Sequence, residues 1–240
     1  MLKFIEHSFH YTSTTLPLPP ESCDLVFADP PYNQGIVYAD DPTGDKQIPY
    51  NGMCADALQN AARLLRPGGT LWWLCPAHHM DWIPYEMSEE QNFIPLYRIV
   101  KEETFSQYQD RSLTCDYRML FVGQKDGGKL TFNPDAIRVQ SVRQEMGDKR
   151  ANPHGRVPGQ IWKFRRLQGT SRDRVDWHPA QLPPEFLKRI VDGWTNVGDT
   201  VIDLFAGSGS MGKVCKATGR NCILVDQSPT YLEKMKQELL

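Results

Sequence analysis

Asp29, Pro30, Pro31 and Tyr32 form the segment of this 240-residue chain whose residue types and spacing most directly suggest chemistry. They follow a short apolar run that predicts a strand buried on both faces, and ligands of open α/β sheets bind at the carboxyl ends of such strands. Two prolines fix φ and carry no N–H group, so the turn is rigid and its carbonyl oxygens can accept hydrogen bonds. The segment would therefore present a carboxylate, a carbonyl and an aromatic face at one point.

This set of groups suits methylation of an exocyclic amine on a nucleobase. Such an amine is a poor nucleophile because its lone pair is conjugated with the ring. Asp29 and the Pro30 carbonyl can accept hydrogen bonds from its two N–H groups and stabilise the positive charge that develops on nitrogen, while Tyr32 can stack on a base extruded from a duplex. Asp-Pro and Pro-Pro are also common in ordinary turns, so this segment alone leaves a purely structural turn as an alternative.

A glycine-rich loop near the carboxyl end of the chain is the second chemical signal. Gly207, Gly209 and Gly212 follow a β-rich run at 200–205, and glycines at the end of a parallel strand let the backbone approach a ligand closely. The next predicted strand ends at Asp226, 17 residues after Gly209, where a carboxylate can accept hydrogen bonds from ribose hydroxyls. The spacing indicates a nucleoside-binding loop, and because it also fits GxGxxG, a NAD-linked oxidoreductase is an alternative. Only 28 residues follow Gly212, so a NAD-binding half would have to be permuted.

Basic residues are concentrated between positions 138 and 174. That stretch holds ten Lys or Arg and three Asp or Glu residues, a local charge of +7 in a chain of net charge −2, so the remainder carries −9. Such asymmetry indicates either a phosphate-facing segment or a solvated basic loop. The candidate nucleic-acid-binding residues are Arg143, Arg156, Lys163, Arg165, Arg166 and Arg172. Trp162 and Phe164 alternate with basic residues, which fits base stacking and equally fits a strand that packs these rings inward.

The remaining pattern predicts the elements that would hold these segments. Strands are predicted at 4–9, 24–28, 70–74, 93–101, 117–123, 200–205 and 221–225, and helices at 53–65, 184–194, 210–217 and 230–240. Alternation of the two implies an α/β fold with a largely parallel sheet, in which 93–101 and 117–123 could pair antiparallel. Residues 125–176 are rich in glycine and proline with little periodicity, so we interpret them as a loop-rich insertion.

Composition limits the class of protein. Hydrophobic residues make up 40% of the chain and aromatic residues 10%, as in a packed globular protein. No apolar run approaches the ~20 residues that span a bilayer, and Lys3, Glu6 and His7 interrupt the first apolar residues before a signal-peptide core can form, so we expect a cytoplasmic protein. None of the six cysteines forms a CxxC pair, and His78-His79 lacks partners at metal-ligand spacing, so we expect buried reduced thiols and no metal.

The order of these segments resembles the N6-adenine/N4-cytosine DNA methyltransferase family over nearly the whole chain. Asp29-Pro30-Pro31-Tyr32 comes first, the basic segment second and the glycine loop last, which is the β-type order of that family. Residues 64–71, LLRPGGTL, match the stretch after the family's catalytic turn. Residues 177–183, WHPAQLP, resemble its HPxQKP segment, which helps to wall the cofactor pocket, and residues 224–231 resemble the strand end with the ribose-binding acid.

The resemblance implies an α/β, Rossmann-like S-adenosylmethionine-dependent methyltransferase fold, circularly permuted, with a mostly parallel seven-stranded sheet that contains an antiparallel strand. Residues 1–124 and 177–240 would form the catalytic domain, and 125–176 an inserted basic target-recognition segment. The resemblance places catalysis on Asp29, Pro30, Pro31 and Tyr32. It places contacts to S-adenosyl-L-methionine on Asp29, Pro30, His178, Pro179, Asp203, Phe205, Gly207, Ser208, Gly209 and Asp226.

The substrate implied by the resemblance is double-stranded DNA, methylated by base flipping at N6 of adenine, because Asp at the first motif position is more typical of the family's adenine enzymes. N4 of cytosine presents a similar amine and is the close alternative. A catalytically silent DNA-binding module and RNA or protein substrates are further ones, although a protein-glutamine enzyme would more often carry Asn in place of Asp29. The resemblance allows a homodimer, the chain shows no nuclease motif, and the recognition sequence is not encoded in any pattern that we can identify.

Three positions depart from the family's pattern. Glu6-His7 stands where members often carry Gly-Asp, which bears on the contact to the adenine ring of the cofactor. Leu182 replaces the usual lysine of HPxQKP, and Ser210-Met211 replaces the usual Thr-Thr after the glycine loop. His178 also fits an ordinary core or helix-capping histidine.

Overall fold

The structure is a computed structural model that describes residues 1–9, 15–41, 44–47, 49–103, 110–111, 113–167, 169 and 171–240, without the side chains of Gln47 and His78. Its strands are β1 (Leu2–Glu6), β2 (Cys23–Ala28), β3 (Leu65–Pro76), β4 (Phe93–Glu103), β5 (Tyr117–Lys125), β6 (Ile161–Phe164), β7 (Thr200–Asp203) and β8 (Asn221–Asp226). Its α-helices are α1 (Tyr50–Leu64), α2 (Trp82–Tyr85), α3 (Val142–Glu145), α4 (Pro184–Trp194), α5 (Ser210–Thr218) and α6 (Pro229–Leu239).

The strands form one sheet in the order β1-β8-β7-β2-β3-β5-β4-β6. Strand β5 runs antiparallel to both of its neighbours, β3 and β4, and the other paired strands run parallel. The α/β fold, the largely parallel sheet and the antiparallel pairing of 93–101 with 117–123 are therefore confirmed. Because seven strands point the same way, their carboxyl ends meet at one edge of the sheet, which we call the carboxyl edge.

Side-chain alternation along β2 shows why this central strand is apolar throughout. Val26 and Ala28 pack into the core on one face with helix α1, whereas Leu25 and Phe27 pack into the core on the other face with α4, α5 and α6. A strand covered on both faces by helices has no solvent-facing side, so apolar residues follow one another without interruption. The result is a three-layer arrangement that leaves the ends of the strands open for a site.

The sheet has eight strands, so the expectation of seven was wrong. The additional strand is β6, whose pairing with β4 runs from Val100 opposite Ile161 to Glu103 opposite Phe164. Trp162 and Phe164 turn inward, with ring centroids 6.2 and 5.6 Å from that of Phe186. Of the two interpretations that the sequence left open for these rings, the inward-packing strand is therefore correct, and base stacking by Trp162 and Phe164 is excluded in this conformation by their burial.

Several predicted boundaries shift by a few residues. Strand β1 ends at Glu6 instead of 9, and β3 begins at Leu65, directly after α1, instead of at 70. Helix α4 has the predicted bounds, with Pro184 in its first turn, where a missing N–H costs nothing. Helix α5 lies between Gly209 and Gly219, which adopt left-handed φ values of +73° and +74°, and such values favour glycine.

Residues 126–160 of the predicted insertion form small folded pieces. Helix α3 begins with a capping box in which Ser141 and Gln144 exchange side-chain and backbone hydrogen bonds, and Val139 pairs with Arg156. The Asn133 amide donates to the carbonyls of Asp192 (3.1 Å) and Thr195 (2.9 Å) at the end of α4. These hydrogen bonds attach the first half of the segment to α4, and β6 attaches the second half to the sheet. That residues 125–176 form a separate target-recognition segment stays a prediction.

Five of the six cysteines are buried free thiols, as expected, but Cys115 is exposed. Burial raises the pKa of the Cys23, Cys54, Cys75 and Cys222 thiols, so these thiols stay protonated and unreactive. None of the helices in the described ranges is both long and apolar enough to cross a membrane.

Candidate active site

The carboxyl edge of the sheet opens into a cavity of about 880 Å³. Strands β2, β7 and β8 end at this edge with Ala28, Asp203 and Asp226, and the antiparallel strand β5 begins there. The predicted site residues that line the cavity are Asp29, Pro30, Pro31, Tyr32, Arg166, His178, Pro179, Asp203, Phe205, Gly207, Ser208 and Asp226. The turn after β2 and the glycine loop after β7 therefore face one space, which is large enough for a nucleoside and part of a second ligand.

The turn after β2 is held by hydrogen bonds at both of its ends. The Tyr32 hydroxyl donates to the Asp29 carboxylate. The Asp45 carboxylate, fully buried, accepts from the backbone N–H of Tyr32 (3.1 Å) and Ile36 (3.0 Å), and also from that of Gly35. Asp45 thus closes the loop that follows the turn and fixes the backbone of Tyr32. Its role was missed at the sequence level, because a loop carboxylate that accepts from backbone N–H groups carries no recognisable spacing.

Burial and the neighbouring positive charges have opposite effects on the pKa of the Asp29 carboxyl. Burial raises the pKa of the Asp29 carboxyl above its usual range, and the Arg118 guanidinium, the Tyr32 hydroxyl and Lys101 hold it down in part. Burial and the neighbouring Asp29 also raise the pKa of the Tyr32 phenol, so the hydroxyl keeps its proton and donates it. The raised pKa makes the Asp29 carboxylate a stronger hydrogen-bond acceptor and a better proton acceptor than an exposed aspartate.

The glycine loop is shaped by close packing against His178. Gly207 has a φ of +49°, and a Cβ atom on it would lie 2.7 Å from Nε2 of His178. The backbone N–H of Gly207 donates to Oδ2 of Asp226 (2.8 Å) and that of Ser228 to Oδ1 (2.8 Å). Only glycine combines this φ with this approach, and each Asp226 oxygen keeps a second lone pair for a ligand hydroxyl.

Two carboxyl groups at the ends of β7 and β8, the buried Asp203 and the partly buried Asp226, have raised pKa values. Burial raises the pKa of Asp226 to about 6, against the hydrogen bonds from Ser228 and Gly207. Burial raises the pKa of Asp203 to about 8, against the hydrogen bond that it accepts from the Phe205 backbone N–H at 3.2 Å. At neutral pH, Asp226 is therefore mostly ionised and accepts hydrogen bonds, whereas Asp203 is mostly protonated and can also donate one, so the pair can bind hydroxyl and amine groups of a polar ligand.

Aromatic rings surround the same part of the cavity. Phe205 packs against Phe9, with ring centroids 5.2 Å apart, and His178 packs against Tyr231 at 4.8 Å and Tyr38 at 5.9 Å. Burial lowers the pKa of His178 to about 4, so its ring is neutral at physiological pH. These neutral, flat surfaces favour a planar heterocycle such as a purine.

Gly209 stands apart from the other predicted cofactor residues. It does not appear among the described residues that line the cavity. It caps α5, and a Cβ atom on it would lie 2.8 Å from Cγ of Met235. Its part in the site is therefore to start the helix and let α6 approach.

A family model described as DNA methylase, that of the N6/N4 methyltransferases, matches residues 23–237. This chain belongs to the DNA methylase family. The DNA adenine methyltransferase YhdJ of Escherichia coli (strain K12) is 32% identical over 225 residues, which cover 90% of this chain and 76% of that protein.

Solved structures of DNA methylases share the fold of this chain. The crystal structure of an M1.HpyAVI–SAM complex matches with a TM-score of 0.64 at 19% identity and covers both chains completely. The cytosine-N4-specific PvuII DNA methyltransferase matches with a TM-score of 0.68 at 14% identity and covers 93% of this chain and 82% of its own. The methyltransferase fold is thus confirmed, and because a cytosine-N4-specific enzyme shares it, the fold does not determine the base.

The departures of this DNA methylase from the family pattern lie in the cavity wall. His7 lines the cavity, its ring packs edge-on against Phe9 at 4.8 Å, and its backbone N–H donates to the carbonyl of Asp226 (3.0 Å). Leu182 also lines the cavity. Gln181, which the sequence analysis did not single out, donates to Oγ of Ser210 (3.3 Å) and accepts from the backbone N–H of Val175 (2.8 Å). Gln181 therefore fixes the segment after His178 to the start of α5.

The six predicted nucleic-acid-binding residues of this DNA methylase lie in different parts of the structure. Arg165 and Arg166 follow β6 at the carboxyl edge, and Arg166 lines the cavity. Arg143 and Arg156 belong to the pieces anchored near the end of α4. Lys163 pairs with Glu102 (2.5 Å) on the exposed side of β6, and Arg172 is exposed. Of the six, only Arg166 is among the described residues that line the cavity with the Asp29–Tyr32 turn.

Proposed function

We propose that this chain transfers the methyl group of S-adenosyl-L-methionine to the exocyclic N6 amine of adenine in double-stranded DNA. The observation that carries the proposal is that the Asp29-Pro30-Pro31-Tyr32 turn and the glycine loop with Asp226 open into one cavity at the carboxyl edge. The choice of adenine is supported by the 32% identical relative, which is named a DNA adenine methyltransferase.

The residues present fit the cofactor. The absence of a side chain at Gly207 lets the loop pack closely against His178, and both residues line the cavity. Asp226 is the acceptor for the ribose hydroxyls, and Phe205 and His178 offer flat neutral surfaces for the adenine ring. The bound cofactor supplies an electrophilic methyl group on a sulfonium sulfur. A nucleoside with its ribose at Asp226 would extend along the cavity toward Asp29.

The protein's own contribution is to hold and polarise the amine. The target amine displaces the Tyr32 hydroxyl from Asp29 and donates one N–H to that carboxylate and the other to the Pro30 carbonyl. These acceptors stabilise the positive charge that nitrogen gains as the new N–C bond forms. The proton that the amine then loses passes to Asp29, whose raised pKa makes it a competent acceptor. Tyr32 stacks on the extruded base.

The DNA would approach the carboxyl edge, where Arg165 and Arg166 follow β6 and Arg166 lines the cavity beside the catalytic turn. Their charges, with those of Arg143, Arg156, Lys163 and Arg172, would contact the phosphate backbone. The family resemblance also allows a homodimer. Light scattering at the protein concentration used in the assay measures the oligomeric state directly.

Transfer of a labelled methyl group to macromolecules tests the proposal. The protein is incubated with labelled S-adenosylmethionine and, separately, unmethylated duplex DNA, RNA of the same sequence or an unrelated protein. Label in the duplex is expected. Absence of label from DNA under conditions where the folded protein binds the cofactor contradicts it, and binding of NAD in preference to S-adenosylmethionine would favour the oxidoreductase alternative.

A further inference from the structure

Three charged side chains at the ends of β4 and β5 connect to the catalytic turn, and the sequence analysis singled out none of them. Arg118 is the second residue of β5, and Lys101 and Glu103 lie among the last three residues of β4. All three line the cavity beside Asp29 and Tyr32. They lie at the carboxyl edge because β5 runs antiparallel, which brings its start next to the end of β4.

We propose that Arg118 is a positioning residue for methyl transfer: it holds the Tyr32 ring and the Asp29 carboxylate in their reactive arrangement, and Glu103 and Lys101 hold Arg118. The inference rests on the proposed function. It assigns to β4 and β5 the support of a turn that follows β2, although β5 is two strands and β4 three strands from β2 in the sheet order.

The contacts form an unbroken series. The guanidinium carbon of Arg118 lies 4.6 Å from the centroid of the Tyr32 ring, in the range of a cation–π contact. Nε of Arg118 lies 3.2 Å from Oε1 of Glu103, and Nζ of Lys101 lies 2.5 Å from the same oxygen. The Arg118 guanidinium therefore contacts the Glu103 carboxylate on one side and the face of the Tyr32 ring on the other.

The register of β4 and β5 places two positive charges opposite each other, which destabilises the sheet. Lys101 and Arg118 stand directly opposite each other in the β4–β5 pair, and like charges at directly opposite positions destabilise a sheet. Glu103 compensates by accepting from both. Lys101 is only 1% exposed, so burial lowers its pKa while Glu103 opposes that change. Ion pairs that are buried or partly buried contribute little net stability, so we attribute this partly buried cluster to the effect of Arg118 on the turn.

Arg118 also provides the largest influence that opposes the burial-raised pKa of Asp29. The titratable groups that act on Asp29, or on which Asp29 acts, are Tyr32 and Tyr38 near the turn, Cys75 of β3, Lys101 and Glu103 of β4, Arg118 of β5 and Asp203 of β7. Arg118 and Lys101 are the cations among them. Loss of the Arg118 charge should therefore raise the pKa of Asp29, which a residue that only fills space would not do.

The experiment compares Arg118→Gln, Arg118→Lys and the control Arg98→Gln in the full-length protein. Arg98 is an exposed arginine on β4 that faces Phe121 of β5 in the register and is not among the described cavity-lining residues. The readouts are kcat and KM for duplex DNA from pH 5 to 9, the Kd of S-adenosylmethionine, and the Asp29 pKa. That pKa comes from ¹³C NMR of carboxyl-labelled aspartate, with the signal assigned by Asp29→Asn.

For Arg118→Gln we expect kcat to fall at least tenfold, the Kd of the cofactor to stay within twofold, and the Asp29 pKa and the acidic limb of the pH profile to move to higher pH. For Arg118→Lys, which keeps the charge but not the planar guanidinium, we expect a smaller fall in kcat and an unmoved acidic limb. Arg98→Gln should match the wild type in all readouts.

An Asp29 pKa unchanged by Arg118→Gln in a folded protein would overturn the inference. If Arg118→Gln does not fold, a kcat of Arg118→Lys equal to that of the wild type would overturn it. The NMR titration needs no activity, so a wild-type protein that fails to methylate DNA contradicts the proposed function while the Asp29 pKa still decides the role of Arg118.

Discussion

The hydroxyl of Tyr32 donates a hydrogen bond to the carboxylate of Asp29, the acceptor that the proposed mechanism assigns to the target amine. Under that mechanism, Tyr32 must release this hydrogen bond before the amine can bind Asp29. The hydroxyl would then compete with the substrate, whereas the ring would stack on the base.

Replacement of Tyr32 separates these two effects. Tyr32→Phe keeps the ring and removes the competing donor, so kcat/KM for DNA should stay within about threefold of the wild type or rise. Tyr32→Leu removes the stacking surface, which contributes about 1–3 kcal/mol per base, so kcat/KM should fall about 10- to 100-fold. Steady-state kinetics measure both, with melting temperatures as a check on folding. Equal losses in the two variants would mean that the hydroxyl takes part in catalysis.

Asp226 should make cofactor binding depend on pH. Because burial raises its pKa to about 6, the carboxylate is present above that pH and is lost as pH falls through it. The Kd of S-adenosylmethionine, measured by titration calorimetry without DNA, should therefore rise about tenfold between pH 7.5 and pH 5. Asp226→Asn should bind weakly at both pH values. If the variant kept the pH dependence of the wild type, another group, such as Asp203, would be responsible.

Gly207 should tolerate no side chain. Gly207→Ala places a Cβ atom 2.7 Å from His178, so the loop must move and cofactor affinity should fall at least tenfold. The matched control is Gly147→Ala: Gly147 also has a positive φ, +71°, but a Cβ atom there meets no atom within 4 Å. Both variants should lose about 1–2 kcal/mol of folding free energy to backbone strain. Similar cofactor affinities in the two variants would show that the Gly207–His178 contact does not shape the binding site.

Arg165 and Arg166 should contribute to DNA binding through phosphate contacts. Arg165→Gln and Arg166→Gln should each weaken binding of any duplex and reduce the slope of log K against log salt concentration by about one. Lys129→Gln is the control, since Lys129 is exposed and follows β5 at the opposite edge of the sheet. Fluorescence anisotropy between 50 and 200 mM salt measures the slopes. If both variants gave the same slope as Lys129→Gln, the DNA-binding surface would not lie at the carboxyl edge.

The sequence was sufficient for the parts of the site that follow parallel strands. The turn at Asp29, the glycine loop and Asp226 each come directly after an apolar run, and the carboxyl ends of parallel strands necessarily meet at one edge. The antiparallel pairing of β4 with β5 could be offered only as one possibility, because the 15 residues between the two predicted strands are also enough for the crossover connection of a parallel pair.

The remainder depends on tertiary contacts that local pattern does not encode. Arg118 is the second residue of an antiparallel strand, so only the sheet order brings it to the turn. Asp45 acts on the backbone of a loop 13 residues before it. Strand β6 was left open because alternation at 161–166 fits an exposed basic surface as well as a buried edge strand, and only the contacts of Trp162 with Phe186 distinguish the two.

Nucleoside analysis of methylated DNA tests the central claim most directly. Unmethylated duplex DNA is incubated with S-adenosylmethionine and either the wild-type protein or Asp29→Ala, then digested and analysed by mass spectrometry. We predict N6-methyladenine from the wild type and none from Asp29→Ala, while the variant still binds the cofactor. N4-methylcytosine in place of N6-methyladenine would contradict the choice of base, and methylation by Asp29→Ala near the wild-type rate would contradict the assignment of the site.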